Sequence, residues 1–565
     1  MESVMITEPK NGLVDWHSIE WGKVNKTVRN LRQRIYRATQ SGEWKQVRNL
    51  QKLMLRSLSN TLLSVRRITQ ENQGKDTSGI DGMKSLTPEQ RVKLVNDVME
   101  YEPYKAKPAR RVYIPKANGK KRPLGIPIIK DRVIQAVVKN ALEPEWEARF
   151  EANSYGFRPG RGCHDAIEQC HNRLRNGADI WILDADIKGA FDNISHEFLL
   201  GKIQNTPGKE LIKQWLKVGY VENNVFQETH SGTPQGGVIS PLLANIAFDG
   251  MENLLSQFKK EKVSKKLEGT RKRKFNKYGF IRYADDFVIT AETKEDLELI
   301  TPILEKWLVK RGLTLSKEKT KLTNIEQGFD FLGFTVRQFK GQCLIKPSKE
   351  KVKALLGKVR QWLNNHKTAK PEVVISQLNP LLRGWGNYYS KVVSKDVFSY
   401  IDHEIFKALW RWAKRRHPNK GRRWIKAKYF KAIGSQDWIF SDWVEGRREG
   451  EKKLITLVKL SEIQIIRHVK VKDTASPDDP SLNAYWEKRK TTEGKNFWSK
   501  GSTYYKVAEN QNWKCPVCKE HIMNGEELHT HHAVSVKDGG EDRIDNLVHL
   551  HKNCHISLHN RKVEQ

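Results

Sequence analysis

The stretch that decides the fold of this chain reads Phe280-Ile281-Arg282-Tyr283-Ala284-Asp285-Asp286-Phe287-Val288-Ile289-Thr290. Its flanks are aromatic and β-branched, as strands require, and aspartate tolerates the positive φ of a short turn. The pattern therefore predicts a tight β-hairpin with Asp285 and Asp286 side by side at its tip. Because two adjacent carboxylates repel each other, they call for a cation, and the arrangement suits metal-assisted phosphoryl transfer.

A second stretch, Trp181-Ile182-Leu183-Asp184-Ala185-Asp186-Ile187, supplies a further carboxylate. Side chains of a strand alternate between its two faces, so Asp184 and Asp186 share the face opposite the apolar residues at 181, 183, 185 and 187. A carboxylate on a neighbouring strand completes the oxygen ligands that Mg²⁺ prefers, and two such ions stabilise both oxygens of an in-line displacement. The two stretches together indicate polymerase or nuclease chemistry.

Length and charge indicate a multidomain protein that binds a long polyanion. The chain has 565 residues, enough for roughly three or four domains. Its 101 Lys and Arg outnumber 66 Asp and Glu, which gives a formal net charge of +35, and it contains 17 Trp. This surplus favours nucleic acid as the partner. A membrane is disfavoured, because apolar runs such as 241–248 fall far short of the ~20 residues that a spanning helix needs.

The N-terminus and the cysteines bear on compartment and metal content. Residues 1–8 lack the basic and apolar segments of a secretory signal, which predicts the cytoplasm of a bacterium or the matrix of a eukaryotic organelle. Six cysteines are few for this length, and Cys515, Cys518 and Cys554 cluster near the C-terminus. Such clustering favours metal ligation over a disulfide framework.

Two segments have the composition of ligand-binding loops. Residues 110–127 predict a hairpin turning at Asn118-Gly119, and its tip and return strand carry Lys116, Lys120, Lys121 and Arg122. Such cations can grip a triphosphate, although a solvated charged hairpin explains the segment equally well. Residues 231–241, Ser-Gly-Thr-Pro-Gln-Gly-Gly-Val-Ile-Ser-Pro, form a turn-rich loop where backbone can approach a ligand closely.

A basic, aromatic segment lies in a region whose pattern is helical to about residue 450. Between Trp410 and Trp424 aromatic residues alternate with cations, and no acidic residue occurs. Stacking surfaces beside cations suit single-stranded or looped RNA, and the candidate contacts are Arg411, Arg415, Arg416, Arg422 and Arg423. Alternatively, the tryptophans anchor a helical core while the cations are solvated. Further on, residues 476–480, Ser-Pro-Asp-Asp-Pro, predict a linker or loop.

The C-terminal residues have the Cys and His density of a metal module. Cys515-Pro-Val-Cys518 and His551-x-x-Cys554 are two knuckle-like pairs that could close a structural tetrahedral zinc site. A separate set of histidines consists of His531, His532, His555 and His559. The last two, spaced i and i+4, share one helix face and could help to hold a second, catalytic divalent ion. A single zinc ribbon with incidental histidines is the weaker alternative, because it leaves this set without a role.

This pattern resembles the HNH endonuclease family over residues 513–560. The resemblance implies a ββα-metal fold in which His532 is the general base that activates water. It also implies that His531, His555 and His559 hold a divalent metal ion, with Mg²⁺ expected. Asn546 matches the family's central asparagine, which helps to fix the loop that orients the base.

From about residue 75 to 335 the order of motifs resembles the reverse-transcriptase family. Asp186, followed five residues later by Phe191, matches the first catalytic strand, so Asp186 rather than Asp184 is the expected ligand. Asp285 and Asp286 match the acidic hairpin, and the resemblance implies two Mg²⁺ ions on Asp186 and Asp285. It further implies nucleotide-binding roles for a dispersed set: Lys116 and Arg122 at the triphosphate, Phe191 beneath the sugar, Gln235 in a nucleotide loop, and Lys319.

A reverse transcriptase followed by a basic helical region and an HNH module resembles a group II intron-encoded protein over nearly the whole chain. Residues 382–389 and 410–424 resemble the thumb, which serves as RNA-splicing domain X. The resemblance implies a multidomain α+β fold of four parts: right-hand fingers and palm with an antiparallel palm sheet over 1–345, an α-helical thumb or domain X over 346–450, a small DNA-binding region over 451–505, and a ββα-metal HNH domain over 506–565.

The resemblance also implies a course of events. The protein binds its intron RNA and assists splicing, nicks target DNA with the HNH domain, and copies the RNA into DNA by target-primed reverse transcription. Its partners would then be intron RNA, target DNA and deoxynucleotides, and its ions Mg²⁺ in the polymerase site, a divalent ion in the HNH site and structural Zn²⁺. Whether one copy or a homodimer binds the RNA stays open.

Two alternatives belong to other classes. One is an RNA-binding splicing cofactor whose enzyme sites are vestigial, and the other is a non-intron, retron-like reverse transcriptase fused to a nuclease. The intact aspartates and the complete histidine set argue against decay of the sites.

Overall fold

A computed structural model of the chain describes residues 15–100, 104–115, 119, 121–266, 269–446 and 451–563. It begins with four helices: α1 (Trp21–Gln40), α2 (Trp44–Leu55), α3 (Leu58–Arg66) and α4 (Pro88–Met99). α1 buries Val24, Val28, Leu31 and Ile35 at helical spacing, so its apolar stripe faces the other helices. α4 starts at a capping box in which Thr87 and Gln90 satisfy each other's backbone N–H groups.

The next elements build the fingers and the first palm strand. They are β1 (Ala109–Pro115), β2 (Lys121–Ile126), α5 (Ile129–Glu147), α6 (Cys163–Leu174), β3 (Trp181–Asp186), α7 (Ala190–Asn193), α8 (His196–Lys202), α9 (Lys209–Lys217), β4 (Tyr220–Glu222) and β5 (Val225–Gln227). β1 and β2 form the predicted basic hairpin, with Pro115 opposite Lys121. β4 and β5 extend the same sheet in the order β2-β1-β4-β5.

The palm sheet carries both acidic stretches. It is completed by the elements α10 (Ser240–Phe248), α11 (Met251–Ser256), β6 (Lys259–Lys266), β7 (Gly269–Asn276), β8 (Gly279–Tyr283), β9 (Asp286–Ala291), α12 (Lys294–Val309) and β10 (Lys321–Asn324). Its order is β10-β3-β9-β8 and every pair is antiparallel, which confirms the predicted antiparallel palm. Leu183 and Ala185 of β3 enter one core with α10 and α12, while Ile182 enters a second core on the other face.

The region after the palm is helical at first and then becomes a sheet. It contains β11 (Phe329–Phe331), β12 (Phe334–Phe339), β13 (Gln342–Pro347), α13 (Lys349–Asn365), α14 (Pro371–Tyr389), α15 (Lys395–Arg416), α16 (Arg422–Tyr429), β14 (Phe430–Ile433), β15 (Gln436–Glu445) and β16 (Lys452–Thr456). The helices of this region therefore end near residue 429, whereas the sequence pattern predicts helix to about residue 450. The reason is local: β15 is rich in aromatic and β-branched residues, and Gly434 takes φ +58° in the turn before it.

The stretch 476–480, expected to be a linker or loop, is a loop that packs against other parts of the protein. Ser476 and Asp478 are buried, and Asp478 accepts hydrogen bonds of 2.7 Å from Nε and Nη2 of Arg32 in α1. The Trp486 indole donates to the carbonyl of Ser476. Proline and aspartate break the helical period here, but the guanidinium allows the carboxylate to be buried.

The C-terminal elements are α17 (Asn483–Phe497), α18 (Thr503–Asn510), β17 (Leu528–His532), β18 (Leu547–His551) and α19 (Lys552–Val563). The last three form a ββα unit in which β17 and β18 are antiparallel. A third core joins this unit to the N-terminal helices, since Trp21 and Val65 pack in one cluster with Trp513 and Leu550. Within the described ranges, none of the helices has both the length and the apolar character needed to cross a membrane.

Candidate active sites

The acidic hairpin has the predicted tight turn, with a different residue under strain. Tyr283 pairs with Asp286, so the turn consists of Ala284 and Asp285 alone. Ala284, not an aspartate, takes the positive φ of +59°. The backbone at Gly156 packs tightly against this turn and holds its unfavourable conformation. A Cβ on Gly156 would lie 2.3 Å from the Ala284 nitrogen.

Three carboxylates meet at the end of the palm sheet. Asp186 is the direct strand partner of Asp286, and Asp285 precedes it in the turn. Burial, the charge of Asp285 and the hydrogen bond to Asp186 raise the pKa of Asp286 to about 7, and burial also raises the pKa of Asp285. Carboxylates that resist ionising together are a donor set suited to a hard divalent cation such as Mg²⁺.

Asp184 lies apart from this group although it shares a face with Asp186. Its strand partners are Lys321 and Val288, one step of alternation further from the turn. Burial raises the pKa of the Asp184 carboxyl to about 6. The structure thus brings Asp186, and not Asp184, beside the hairpin pair.

Lys319 contacts the carboxylate group directly. The Ser316 N–H donates to the Asp186 carbonyl (2.8 Å) and the Lys319 N–H donates to the Ser316 carbonyl (3.1 Å), which folds this loop over the end of β3. Lys319 Nζ then lies 2.8 Å from Asp186 Oδ2, and this hydrogen bond raises the pKa of Lys319. The lysine supplies a positive charge beside the carboxylates.

The predicted nucleotide loop is tied to the segment that carries Phe191. The Thr233 N–H donates to the Phe191 carbonyl (2.6 Å), and Gln235 Nε2 donates to both carboxylate oxygens of Asp192 (3.1 and 3.0 Å). Phe191 itself is half-buried and meets Phe157 edge-on at 6.1 Å.

The basic hairpin lies against the same loop. The Gly125 N–H donates to the Gln235 carbonyl (2.6 Å), so β2 touches the loop through its backbone. Arg122 is exposed, and its charge helps to lower the pKa of Asp285, against the larger effect of burial. Lys116 lies outside the described residues.

Sequence reasoning missed the residues that hold the turn. Arg282 is 1% exposed, and its Nη1 donates to the Ala284 carbonyl and to Asn245 Oδ1, both at 3.1 Å. Asn245 Nδ2 in turn donates to the Gly156 carbonyl at 2.9 Å. Burial lowers the pKa of Arg282 to about 10. Strand alternation could have predicted the burial of Arg282, because it places this arginine on the same face as the core residue Phe280.

Three histidines of the ββα unit, His531, His555 and His559, converge on one point. His531 Nδ1 lies 3.1 Å from His555 Nε2, which lies 3.2 Å from His559 Nε2. Burial, followed by the charges of His559 and His531, lowers the pKa of His555 to about 4. Neutral imidazoles arranged in this way fit a divalent ion, and three nitrogen donors suit a transition metal better than Mg²⁺, which prefers oxygen.

His532 points to a different partner, one that the sequence did not reveal. His532 Nε2 lies 2.7 Å from Asp542 Oδ1. Asn546 fixes the intervening loop, since its Oδ1 accepts from the Val534 N–H (2.7 Å) and its Nδ2 donates to the carbonyls of Val534 (3.1 Å) and Glu541 (2.9 Å). The loop is close-packed, because a Cβ on Gly540 would lie 2.0 Å from the Val534 oxygen.

The Cys₃His group is buried and is built partly from this unit, since His551 ends β18 and Cys554 lies in α19. Cys515, Cys518, His551 and Cys554 are buried, and their ligand atoms all lie within 4.8 Å of one another. Three thiols and one imidazole in a closed, buried cluster are the donor set of a structural Zn²⁺ site.

The predicted RNA-binding arginines divide into two groups. Arg411, Arg415, Arg422 and Arg423 are exposed where α15 ends and α16 begins. Arg416 is different: it donates to the Ala369 carbonyl and lies over the Trp412 ring at 4.8 Å, so it supports the fold. Trp412 is buried, which favours the core alternative for that residue, whereas Trp424 is 39% exposed.

Four family models match the chain. Residues 16–98 match the N-terminal domain of reverse transcriptase, residues 114–336 the reverse transcriptase (RNA-dependent DNA polymerase), residues 352–430 the group II intron maturase-specific domain, and residues 515–561 the HNH endonuclease.

Two related proteins point the same way. The group II intron-encoded protein LtrA of Lactococcus lactis subsp. cremoris is 33% identical over 412 residues, which cover 58% of this chain and 68% of the relative. Protein YkfC of Escherichia coli is 34% identical over 303 residues, or 48% and 79% of the two chains. These matches make the chain an RNA-directed DNA polymerase and DNA endonuclease with RNA as a partner. It belongs to the family of group II intron-encoded proteins, in which reverse transcriptase, maturase and HNH domains serve intron splicing and mobility.

Proposed function

We propose that Asp186, Asp285 and Asp286 form the nucleotidyl-transfer site with which this protein copies its intron RNA from a nick that it makes itself. The pairing of Asp186 with Asp286 beside the two-residue turn carries this proposal, because it gathers three carboxylates at one end of the palm sheet. Mg²⁺ ions held by Asp186 and Asp285 would neutralise charge on the attacking and leaving oxygens.

The surrounding residues would position the nucleotide. Arg122 and Lys116 of the basic hairpin are suited to the triphosphate, since guanidinium and ammonium groups match phosphate oxygens. Phe191 would support the sugar, and the loop of Gln235, tied to Asp192, would hold the base end. Lys319 would place a positive charge beside the Asp186 carboxylate through its 2.8 Å contact.

Arg282 is the positioning residue for this site, and replacing it tests the geometry of the turn. Arg282→Lys keeps a charge but loses the planar guanidinium whose Nη1 donates to both Ala284 and Asn245. We expect kcat for primer extension on an RNA template to fall about 10- to 100-fold, the effect of one or two hydrogen bonds to a charged group, with KM for deoxynucleotides little changed.

Arg311→Lys is the matched control for Arg282. Arg311 is also buried and also donates to a main-chain carbonyl, that of Ala247 (2.9 Å), but it does not contact the turn. Its replacement should change kcat by less than about threefold. Equal losses in the two variants would mean that general stability, and not the position of the turn, explains the effect.

We infer that the HNH domain nicks the target DNA with His532 as general base. If Nε2 carries the proton that Asp542 accepts, Nδ1 is left to take a proton from the attacking water. Asn546 would hold the loop that carries this pair. The divalent ion on His531, His555 and His559 would shield the scissile phosphate, and the three imidazoles favour a transition metal over Mg²⁺ in that position.

RNA binding would involve the exposed arginines at the end of α15 and the start of α16. The RNA itself would perform the splicing chemistry. Replacing Arg422 and Arg423 with Gln should weaken binding of the intron RNA. It should also reduce the slope of log affinity against log salt by about 1.4 to 1.8, because about 0.7 to 0.9 counterions are released per phosphate contact. Filter binding at several salt concentrations measures this slope.

The matched control for those arginines lies on the palm. Lys306 and Lys310 are equally exposed near the end of α12. Their replacement with Gln removes the same charge and should leave the slope within about 0.3 of the original. An equal change in both double variants would show that net charge alone governs binding.

The boundaries of the four domains and the DNA-binding role of residues 451–505 belong to the same proposal.

A further inference from the structure

One arginine of the N-terminal helices reaches the Cys₃His cluster of the nuclease domain. Arg66 is the last residue of α3 and is 3% exposed. Its Nη2 donates to Cys554 Sγ at 3.7 Å and to Glu526 Oε2 at 3.0 Å. The arginine and the cysteine are 488 positions apart in the sequence.

The guanidinium is held from its other sides as well. Its Nε lies 2.9 Å from Glu71 Oε1, and its Cζ lies 4.6 Å from the centre of the Trp21 ring. A buried arginine with two carboxylates, one ring and one sulfur around it has little freedom to move. The orientation of the Arg66 guanidinium toward the sulfur is therefore fixed by the fold.

The two domains share apolar packing around this contact. Val65 and Ile68 flank Arg66 and lie in the same core cluster as Cys515, Cys518 and Ile522. At the rim, Arg29 of α1 and Glu520 form an ion pair of 2.8 Å. The metal ligands thus face the N-terminal helices, and not only the rest of their own domain.

We propose that Arg66 is an outer partner of the zinc site, so that zinc binding and docking of the nuclease domain on the N-terminal helices are linked. The inference rests on the proposed assignment of Zn²⁺ to the Cys₃His cluster. Zn²⁺ with three thiolates and a neutral imidazole carries one net negative charge, and a buried charge needs a compensating group. Arg66 supplies both a positive charge and a hydrogen bond to one thiolate.

Linkage makes the effect reciprocal. Outer partners of metal ligands contribute about 10- to 100-fold to metal affinity. If Arg66 makes this contribution, bound zinc must strengthen the attachment of α3 to the nuclease domain by the same factor. The consequence is a polymerase N-terminal domain whose stability depends on a metal ion in the nuclease.

The first test measures zinc in the full-length protein. In Arg66→Gln, zinc should transfer to a chromophoric chelator at least about tenfold faster than in the wild type, or to a greater extent. Arg67→Gln, which removes the neighbouring half-buried arginine that contacts Asn140, is the control and should stay within about twofold. Equal zinc retention in the two variants would overturn the proposal, as would a wild-type protein that binds no zinc at this cluster.

The second test does not depend on the variants folding. Amide hydrogen exchange is measured in the wild-type protein before and after zinc is removed by a chelator. Exchange should accelerate in α3 and in residues 67–71, as well as in the nuclease domain. Unchanged exchange in α3 would overturn the linkage. Nicking by the metal-loaded protein is assayed separately, so a failure of the nuclease assignment is distinguishable from a failure of this one.

Discussion

Asp285→Asn should lower primer extension on an RNA template by about a thousandfold or more. The change removes one negative charge from the turn while the shape of the side chain is kept, so metal ligation is lost without a cavity. Loss of about 4 kcal/mol of transition-state stabilisation corresponds to this factor. RNA binding and DNA nicking should remain within about threefold of the wild type, because neither uses the hairpin. Steady-state extension with a labelled primer measures the effect.

Asp184→Asn is the matched control for that prediction. Asp184 lies on the same strand and the same face as Asp186, but it pairs with Lys321 away from the turn. We expect the Asp184 variant to extend primers within about threefold of the wild type, and Asp186→Asn to be as inactive as Asp285→Asn. An active Asp285 variant, or an inactive Asp184 variant, would contradict the assignment of the ligands.

His532→Ala should abolish nicking of target DNA, with a loss of about a hundred- to ten-thousandfold, the usual contribution of a general base. Polymerisation should be unchanged, because His532 belongs to the ββα unit and the palm carboxylates lie on the separate sheet of β3, β8 and β9. Asp542→Asn should cause a smaller loss, since it weakens the contact that orients the imidazole but leaves the imidazole in place. A nicking assay on supercoiled plasmid carrying the target gives the rates.

His529→Ala controls for the loss of a histidine from the same strand. His529 lies on β17 and contacts Glu527. Its ring meets the His555 ring edge-on at 5.4 Å, but it is not one of the three histidines whose ligand atoms converge. Nicking by this variant should stay within about threefold of the wild type. If His529→Ala and His532→Ala lost activity equally, disruption of β17 would be the better explanation.

The local parts of both sites could be predicted because they follow from short-range patterns. Alternation in β3 put Asp184 and Asp186 on one face, and the flanks of Asp285 indicated a hairpin. The spacing of His555 and His559 likewise put two ligands on one helix face. In each case the backbone period alone decides the geometry.

The remaining parts depend on contacts between distant segments, which periodicity does not encode. The Arg66 contact with Cys554 and the hydrogen bond from Arg282 to Asn245 both arise from packing of separate elements. The stretch 476–480 has the composition of a linker, yet Arg32 makes its burial favourable. The aromatic residues of β15 are compatible with a helix as well as with a strand, and the turn at Gly434 favours the strand.

The two rival functions make different predictions for the same protein. A splicing cofactor with vestigial enzyme sites would bind intron RNA but would not extend primers, and Asp285→Asn would then change nothing. A retron-like enzyme would extend primers but would not promote splicing of the RNA around its own gene at near-physiological Mg²⁺. The maturase-specific domain at 352–430 favours a role in splicing.

The central claim is that one chain holds two independent active sites that act in succession on one DNA target. The most direct measurement supplies the full-length protein, bound to its intron RNA, with intact target DNA or with DNA already nicked, and follows nicking and DNA synthesis together. His532→Ala should fail on intact DNA yet synthesise from the supplied nick, whereas Asp285→Asn should nick intact DNA and synthesise on neither. A single substitution that abolished both nicking and synthesis from the supplied nick would contradict the claim.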